Sequence, residues 1–78
     1  MENIISLNRA ILGKRYKVVD IVADISIKRR LLDFGFVDTV VQVVSTSALK
    51  GVYLIEIRKY LIALRRSEVE SIMVVEHE

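Results

Sequence analysis

The apolar residues change their spacing along the chain, and each change predicts a new structural element. Residues 16–22 (YKVVDIV) alternate imperfectly and are rich in β-branched side chains, which is typical of a strand. Further on, Ile27, Leu31 and Phe34 recur at intervals of four and three residues, which places them on one face of a helix. The pattern therefore predicts a first strand followed by one short basic helix.

The two ends of this helix carry recognisable signals. Asp24 and Ser26 are both suitable residues to cap its start. Gly35, the centre of the Phe-Gly-Phe triplet at 34–36, stands where a residue in the left-handed conformation would end it. Such an ending turns the chain abruptly, so that the next strand can start from the same core. We therefore expect Leu31 and both phenylalanines to be core residues.

The second half of the chain reads mainly as strands. Residues 39–45 are β-branched, 52–64 are long enough for two strands, and 72–76 form a last one. Before the last strand, Ser67 is followed three residues later by Glu70, which is the capping-box signature of a short helix. The order is strand, helix, three strands, helical turn and strand. It predicts a mostly β fold, a small and largely antiparallel barrel.

Length and composition narrow the class of protein. The 78 residues allow one domain, 1–78, and a hydrophobic share of 53% favours a compact globular one. The absence of cysteine excludes disulfides, thiolate zinc sites and cysteine nucleophiles. The apolar stretches fall short of the roughly 20 residues of a membrane-spanning helix, and no basic segment precedes the first of them. We expect a cytoplasmic protein.

The sequence contains no constellation of residues that indicates catalysis. Its only histidine, His77, lies between two glutamates near the end of the chain. The glycines are solitary, so no phosphate-binding loop is present, and the serines lack an internal histidine to activate them. We therefore predict a protein that is not an enzyme, with no catalytic residues, no cofactor and no metal site.

Charge is distributed unevenly around a net value of +2. Residues 1–30 carry seven basic and three acidic groups, whereas 67–78 hold four glutamates and no lysine or arginine. Basic pairs and three tyrosines leave a small nucleic-acid-binding barrel as an alternative function. The acidic end and the small net charge make nucleic acid an improbable partner, because phosphate contacts dominate such affinity.

Two segments carry a resemblance to a known family. "RRLLDFGFV" (29–37) resembles an arginine-leucine helix that runs into Met-Gly-Phe or Met-Gly-Leu, and "IRKYLIALRRSEVESIMV" (57–74) resembles an Arg-Gly-Tyr, Leu-Arg and Glu-Ala-x-x-Ile ending. Both are features of the ferrous iron transport protein A family (FeoA), and the similarity extends from Leu7 to Glu76. The two segments occur in the same order as in the family and at nearly the same spacing.

The chain departs from the family in its loops, and it resembles a divergent member that lacks the loop prolines. Residues 37–39 are Val-Asp-Thr where the family usually has Pro-Gly-Thr. Residues 48–52 replace a Pro-Leu-Gly-Asp-Pro loop, so both of its prolines are absent. Lys59 stands where the family commonly has glycine, directly before Tyr60.

The resemblance implies an SH3-like β-barrel with a helix inserted after the first strand. It also implies a non-enzymatic role in bacterial ferrous iron uptake, in which the protein binds the membrane permease and regulates or assembles it. That permease carries a cytosolic GTP-binding domain, and the protein would reach the membrane only through it. Self-association through an uncapped barrel edge is a third alternative.

Six residues are candidates for partner binding. The two adjacent helical arginines point in different directions, so one is expected to pair internally, with Asp33 as the candidate acid for the first of them, and the other to lie at the surface. A leucine and a lysine occupy a loop tip, and a tyrosine and an arginine belong to the FeoA-like ending. The six are Arg29, Arg30, Leu49, Lys50, Tyr60 and Arg65.

Overall fold

A computed structural model describes residues 3–77 of the chain, as six strands and two α-helices. A 3-10 turn, Leu7–Arg9, joins the first two strands. The strands are β1 (Ile5–Ser6), β2 (Arg15–Ile21), β3 (Val40–Thr46), β4 (Val52–Ile57), β5 (Tyr60–Arg65) and β6 (Ile72–Glu76). The helices are α1 (Ile25–Asp33) and α2 (Arg66–Glu70).

All strand pairs are antiparallel, and the sheet order is β1-β6-β2-β3-β4-β5. The register shifts once in β2, at Val19, and once in β3, at Val44. Bulges of this kind bend a strand and increase its twist, which curls the sheet around the core. The fold is therefore the predicted SH3-like barrel, with its sheet open between β1 and β5.

The core lies inside this curved sheet. Most of the buried residues of β2, β3, β4 and β6 alternate with more exposed ones, because successive side chains of a strand point to opposite faces, and β5 adds the buried Leu64. Leu31 of α1 and Val69 of α2 close the core from the two helices. Leu31 and Phe36 are fully buried, and Phe34 packs against them half-buried, which confirms the predicted core residues around the helix end.

Helix α1 begins and ends as its sequence predicts. Of the two candidate caps, Asp24 is the one used, and its Oδ1 accepts the backbone N–H groups of Ser26 and Ile27. At the other end the Gly35 N–H donates to the carbonyl of Leu32, and the Phe36 N–H donates to that of Leu31. These two bonds form a Schellman motif, which requires the positive φ of +97° at Gly35.

Two predictions about the elements were wrong. The strand predicted first is β2, because β1 is only two residues long and carries no visible periodicity. Helix α2 begins at Arg66 rather than after Ser67, so the Ser67–Glu70 capping box is not formed. The chain passes from β5 straight into the helix, so Arg65 becomes the N-cap and its N–H donates to Oε1 of Glu68, 3.0 Å away.

Candidate partner-binding surface

The end of α1 docks on the turn between β4 and β5. The Tyr60 hydroxyl donates a hydrogen bond of 2.8 Å to the backbone carbonyl of Phe34. The Arg58 guanidinium covers Gly35, where a β-carbon would lie 3.5 Å from Cζ. We call this surface the hairpin end and define it by 34–35 and 58–60. Its two halves are distant in sequence and are held together by these contacts.

The turn of the hairpin end has a strained backbone. Ile57 pairs with Tyr60, so only two residues connect the strands, and Arg58 and Lys59 have φ values of +49° and +73°. A two-residue turn with both φ values positive is favoured by Asn-Gly, because other side chains crowd the backbone there. The chain thus places two cations where turns usually have small residues.

Helices α1 and α2 are joined by an ion pair. Nη1 of Arg30 lies 3.0 Å from Oε2 of Glu68, whose side chain is 6% exposed, while that of Arg30 is 57% exposed. The other carboxylate oxygen of Glu68 accepts the Arg65 N–H. Arg30 also lies over the ring of Phe34, at 5.5 Å from its centroid. The carboxylate is therefore satisfied on both oxygens, as a nearly buried charge must be.

This pairing corrects the prediction for the two arginines. Arg30 has the internal partner, and that partner is Glu68 rather than Asp33. Both arginines are exposed, and no ion pair links Arg29 to Asp33 in the part of the chain that the structure describes. The partner was missed because Glu68 is 38 positions further along the sequence than Arg30. Only the helix packing brings the two together.

Helix α1 is consequently tied to both ends of β5. Phe34 is bonded to the first residue of the strand, Tyr60. Arg30 reaches the last residue, Arg65, through the shared carboxylate of Glu68. Within residues 3–77, β5 has a ladder with β4 alone, so these two links tie α1 to the ends of a strand at the edge of the sheet.

The loop between β3 and β4 lies at the opposite end of β5 from the hairpin turn. The Ser47 hydroxyl accepts the N–H groups of Gly51 and Val52, and the Lys50 N–H donates to the Ser47 carbonyl. Within this braced turn Leu49 is 91% exposed. The Arg66 N–H donates to the carbonyl of Gly51, which ties the loop to the start of α2.

The structure divides the six predicted partner residues into two groups. Arg29, Arg30 and Tyr60 belong to α1 and the hairpin end. Leu49 and Lys50 belong to the loop between β3 and β4. Arg65 lies opposite Val52 in the β4–β5 ladder, next to the loop, and its backbone also belongs to the Glu68 network.

Glu68 and Arg58 are the residues that sequence reasoning missed. Glu68 had a usable signal, since it lies three residues after the N-cap Arg65, but the neighbouring Ser67–Glu70 pair fitted the same rule better. Arg58 had none, because its contact with Gly35 exists only in the folded chain.

A shallow pocket of about 170 Å³ opens between β2 and α1. Its walls are mainly apolar, with Phe36 at its base and Leu32 on the helix side. Lys28, Asp20 and Asp38 bring opposite charges to its lining, and Asp38 pairs with Lys17 at 3.2 Å. The pocket is too small for a drug-sized ligand, since such sites usually measure a few hundred Å³ or more.

Two surface groups have shifted pKa values. The hydrogen bond from Lys14 to Glu76, 2.7 Å long, raises the pKa of the lysine. The Ser26 hydroxyl, together with the N–H groups at the start of α1, lowers the pKa of Asp24. Both shifts arise from structural contacts at element ends, not from a cleft with several titratable groups.

Residues 3–77 contain no group of three or more histidine or acidic side chains that could hold a metal ion. No helix within that range is long and apolar enough to cross a bilayer.

Comparison with known proteins decides the family. Residues 5–76 match the FeoA domain model. The chain belongs to the FeoA family. None of the curated proteins matches it significantly.

Solved structures of FeoA proteins are similar to the chain over most of its length. An FeoA-like protein from Clostridium acetobutylicum is 28% identical, with a TM-score of 0.85 over 100% of this chain and 95% of that one. The FeoA protein of Chlorobium tepidum is 27% identical, with a TM-score of 0.87 over 95% and 71% of the two chains. A manganese-dependent transcriptional repressor is 20% identical and 44% covered, with a TM-score of 0.87, which shows the shared fold alone.

Proposed function

We propose that this protein is a non-enzymatic cytoplasmic component of bacterial ferrous iron uptake, which binds the ferrous-iron permease and regulates or assembles it. The observation that carries the proposal is the FeoA domain match over residues 5–76, which spans nearly the whole chain. Membership of this family implies a role in ferrous iron transport. The contact with the permease is our inference beyond that role.

The structure supports a binding role in two ways. The pocket between β2 and α1 is small, and the Ser26 hydroxyl that donates to Asp24 belongs to an exposed helix cap, so the interaction surfaces are the better place to look for function. The hairpin end is held rigid by contacts from α1, and a surface that is ordered beforehand loses less entropy on binding.

Arg29 and Tyr60 are our candidates for the permease contact. Arg29 is exposed on α1 without an ion-pair partner in the described part of the chain, and Tyr60 is 46% exposed although its hydroxyl is bonded. Arginine and tyrosine are enriched among residues that contribute most to protein interfaces. We assign Arg30 a structural role instead, because its guanidinium forms an ion pair with Glu68.

The test is a titration of the labelled protein with the cytosolic GTP-binding domain of the permease from the same organism. We expect amide resonances of 29–35 and 58–60 to shift, and Arg29→Glu to weaken binding. Arg15→Glu is the matched control, because Arg15 is an exposed arginine on β2. If no resonance moves at high micromolar domain concentration, direct binding to that domain is wrong.

A binding assay with single-stranded DNA or RNA distinguishes the proposed function from nucleic-acid binding. A nucleic-acid-binding barrel would be retained on single-stranded DNA or RNA with a steep dependence on salt. We expect that this protein is not retained on single-stranded DNA or RNA at low salt. The likeness to a transcriptional repressor does not alter this expectation, because the similarity covers less than half of the repressor and shows fold alone.

A further inference from the structure

The loop between β3 and β4 carries an unusually exposed leucine. Leu49 is 91% exposed, more than any other large apolar residue in the part of the chain that the structure describes. The bonds to the Ser47 hydroxyl and carbonyl fix the loop, so its tip is held away from the barrel core. Val52, 47% exposed at the start of β4, adds apolar surface directly after the loop.

Three cationic residues have backbone positions next to this apolar surface. Lys50 follows the leucine directly, and Arg65 lies opposite Val52 in the ladder. The N–H of Arg66 is bonded to the loop at Gly51. We define the loop end by Leu49, Lys50, Val52, Arg65 and Arg66.

The two carboxylates of α2, the helix that starts directly after Arg65, are already engaged. Glu70 is 3.2 Å from Arg66, and Glu68 is nearly buried against Arg30. Lys50 and the Arg65 side chain have no ion-pair partner among residues 3–77. The loop end is therefore positively charged around a protruding apolar tip.

We propose that the loop end binds the surface of an anionic membrane. Leu49 would enter the boundary between headgroups and acyl chains, while the cations lie against the phosphates. Apolar surface together with attraction to anionic lipid is what sets the strength of such peripheral binding. Each lysine or arginine near an anionic surface contributes about fivefold in affinity.

A membrane fits these observations better than an acidic protein does. A protruding leucine needs a soft surface or a matching cavity in its partner, and a bilayer accepts it without one. The two cations that are unpaired among residues 3–77, Lys50 and Arg65, come from a loop and from a strand end, so they suit a diffuse negative surface rather than one carboxylate. This inference goes beyond the proposed function and departs from the expectation that the protein reaches the membrane only through the permease.

The experiment uses the whole chain and vesicles without any other protein. Sedimentation with phosphatidylcholine vesicles is compared with sedimentation after phosphatidylglycerol has been added to them. We expect binding to the anionic vesicles only, falling as salt rises. Leu49→Ser and Lys50→Glu should each weaken it about fivefold or more. Ile25→Ser, at an apolar residue 68% exposed on α1, and Arg29→Glu are the matched controls and should leave it unchanged.

Fluorescence gives a second readout, because the chain contains no tryptophan. Leu49→Trp should shift its emission to the blue on anionic vesicles, and Ile25→Trp should not. Absence of binding at low salt, or equal losses in the controls, would overturn the proposal. So would loop-end variants that weaken binding to the permease domain but not to vesicles, which would assign the loop to a protein. A negative vesicle result leaves the proposed permease contact standing, since no permease is present.

Discussion

Tyr60 and Phe34 are 26 residues apart in sequence and are joined by a single 2.8 Å hydrogen bond from a side-chain hydroxyl to a backbone carbonyl. The accepting carbonyl belongs to the C-cap of α1, whose last carbonyls have no partner within the helix. The bond therefore completes the helix end and fixes its position on the β4–β5 hairpin at once.

Removal of this hydroxyl tests how much the docking depends on it. We expect Tyr60→Phe to lower the free energy of unfolding by about 1 kcal/mol, the usual net value of one hydrogen bond. Amide exchange at Gly35 and Phe36 should become faster, because the helix end loses its anchor, while β3 amides stay unchanged. Equal exchange rates in the variant and the parent would show that the hydroxyl does not anchor the helix end.

The ion pair between α1 and α2 predicts an asymmetric response to its two partners. Arg30→Ala leaves the Glu68 carboxylate nearly buried without its cation and should cost about 1–3 kcal/mol in denaturant unfolding. Arg29→Ala is the control and should change stability by less than about 0.5 kcal/mol, because its side chain is exposed.

Glu68→Gln is predicted to be milder than Arg30→Ala. The glutamine oxygen can still accept the Arg65 N–H, and the exposed Arg30 can be hydrated. Adding Glu68→Gln to Arg30→Ala should recover part of the lost stability, because no charge is then stranded. A double variant as unstable as the sum of the two single ones would contradict the proposed cause.

The strained hairpin turn offers a stabilising substitution. Lys59→Gly should raise the free energy of unfolding by about 1 kcal/mol, since glycine adopts the observed φ of +73° without steric cost. Lys59→Ala is the matched control and should give no gain, because alanine is strained there as well. If both variants have the same Tm, backbone strain at this position is not a real cost.

The capping of α1 by Asp24 should make the free energy of unfolding depend on pH in the acidic range. The Ser26 hydroxyl and the helix N–H groups hold the folded pKa of Asp24 below its ordinary value of 3.8. The unfolded state therefore binds a proton first as pH falls. The contribution of this carboxylate is fully present above that value and is lost as pH falls through the lower, folded pKa.

Asp24→Asn checks this sign. Asparagine also caps helices but does not titrate, so its stability should change less between pH 5 and about pH 2 than that of the parent. Equilibrium unfolding at several pH values in this range gives the comparison. A parent curve that is parallel to that of the asparagine variant would exclude Asp24 as a source of acid sensitivity.

Local signals in the sequence predict most of the elements. Asp24 and Gly35 mark the helix ends correctly because capping depends on nearby backbone groups, and the last strand, 72–76, follows directly from its β-branched run. The sequence does not reveal β1, because a strand of two residues is too short to show an alternation of apolar and polar side chains. The partner of Arg30 was missed because it lies on another helix.

The candidate surface is less predictable than the fold. The sequence placed Leu49 at a loop tip, and the structure confirms this exposure. It could not show that Arg65 and Arg66 join the same end of the barrel, because this depends on the β4–β5 register and on the bond to Gly51. The assignment of these residues to a partner remains a prediction.

The position of β6 has a consequence for synthesis on the ribosome. This strand lies between β1 and β2, so the two N-terminal strands of the described sheet are linked by ladders only through β6, and that link forms only after residues 72–76 have been made. Tyr16 can pair with Val41 as soon as β3 has been made, but its second ladder partner, Glu76, is translated much later. Synthesis from the N-terminus therefore allows the β2–β3, β3–β4 and β4–β5 ladders to form first, while β1 stays without a ladder partner among the described strands until β6 has been made.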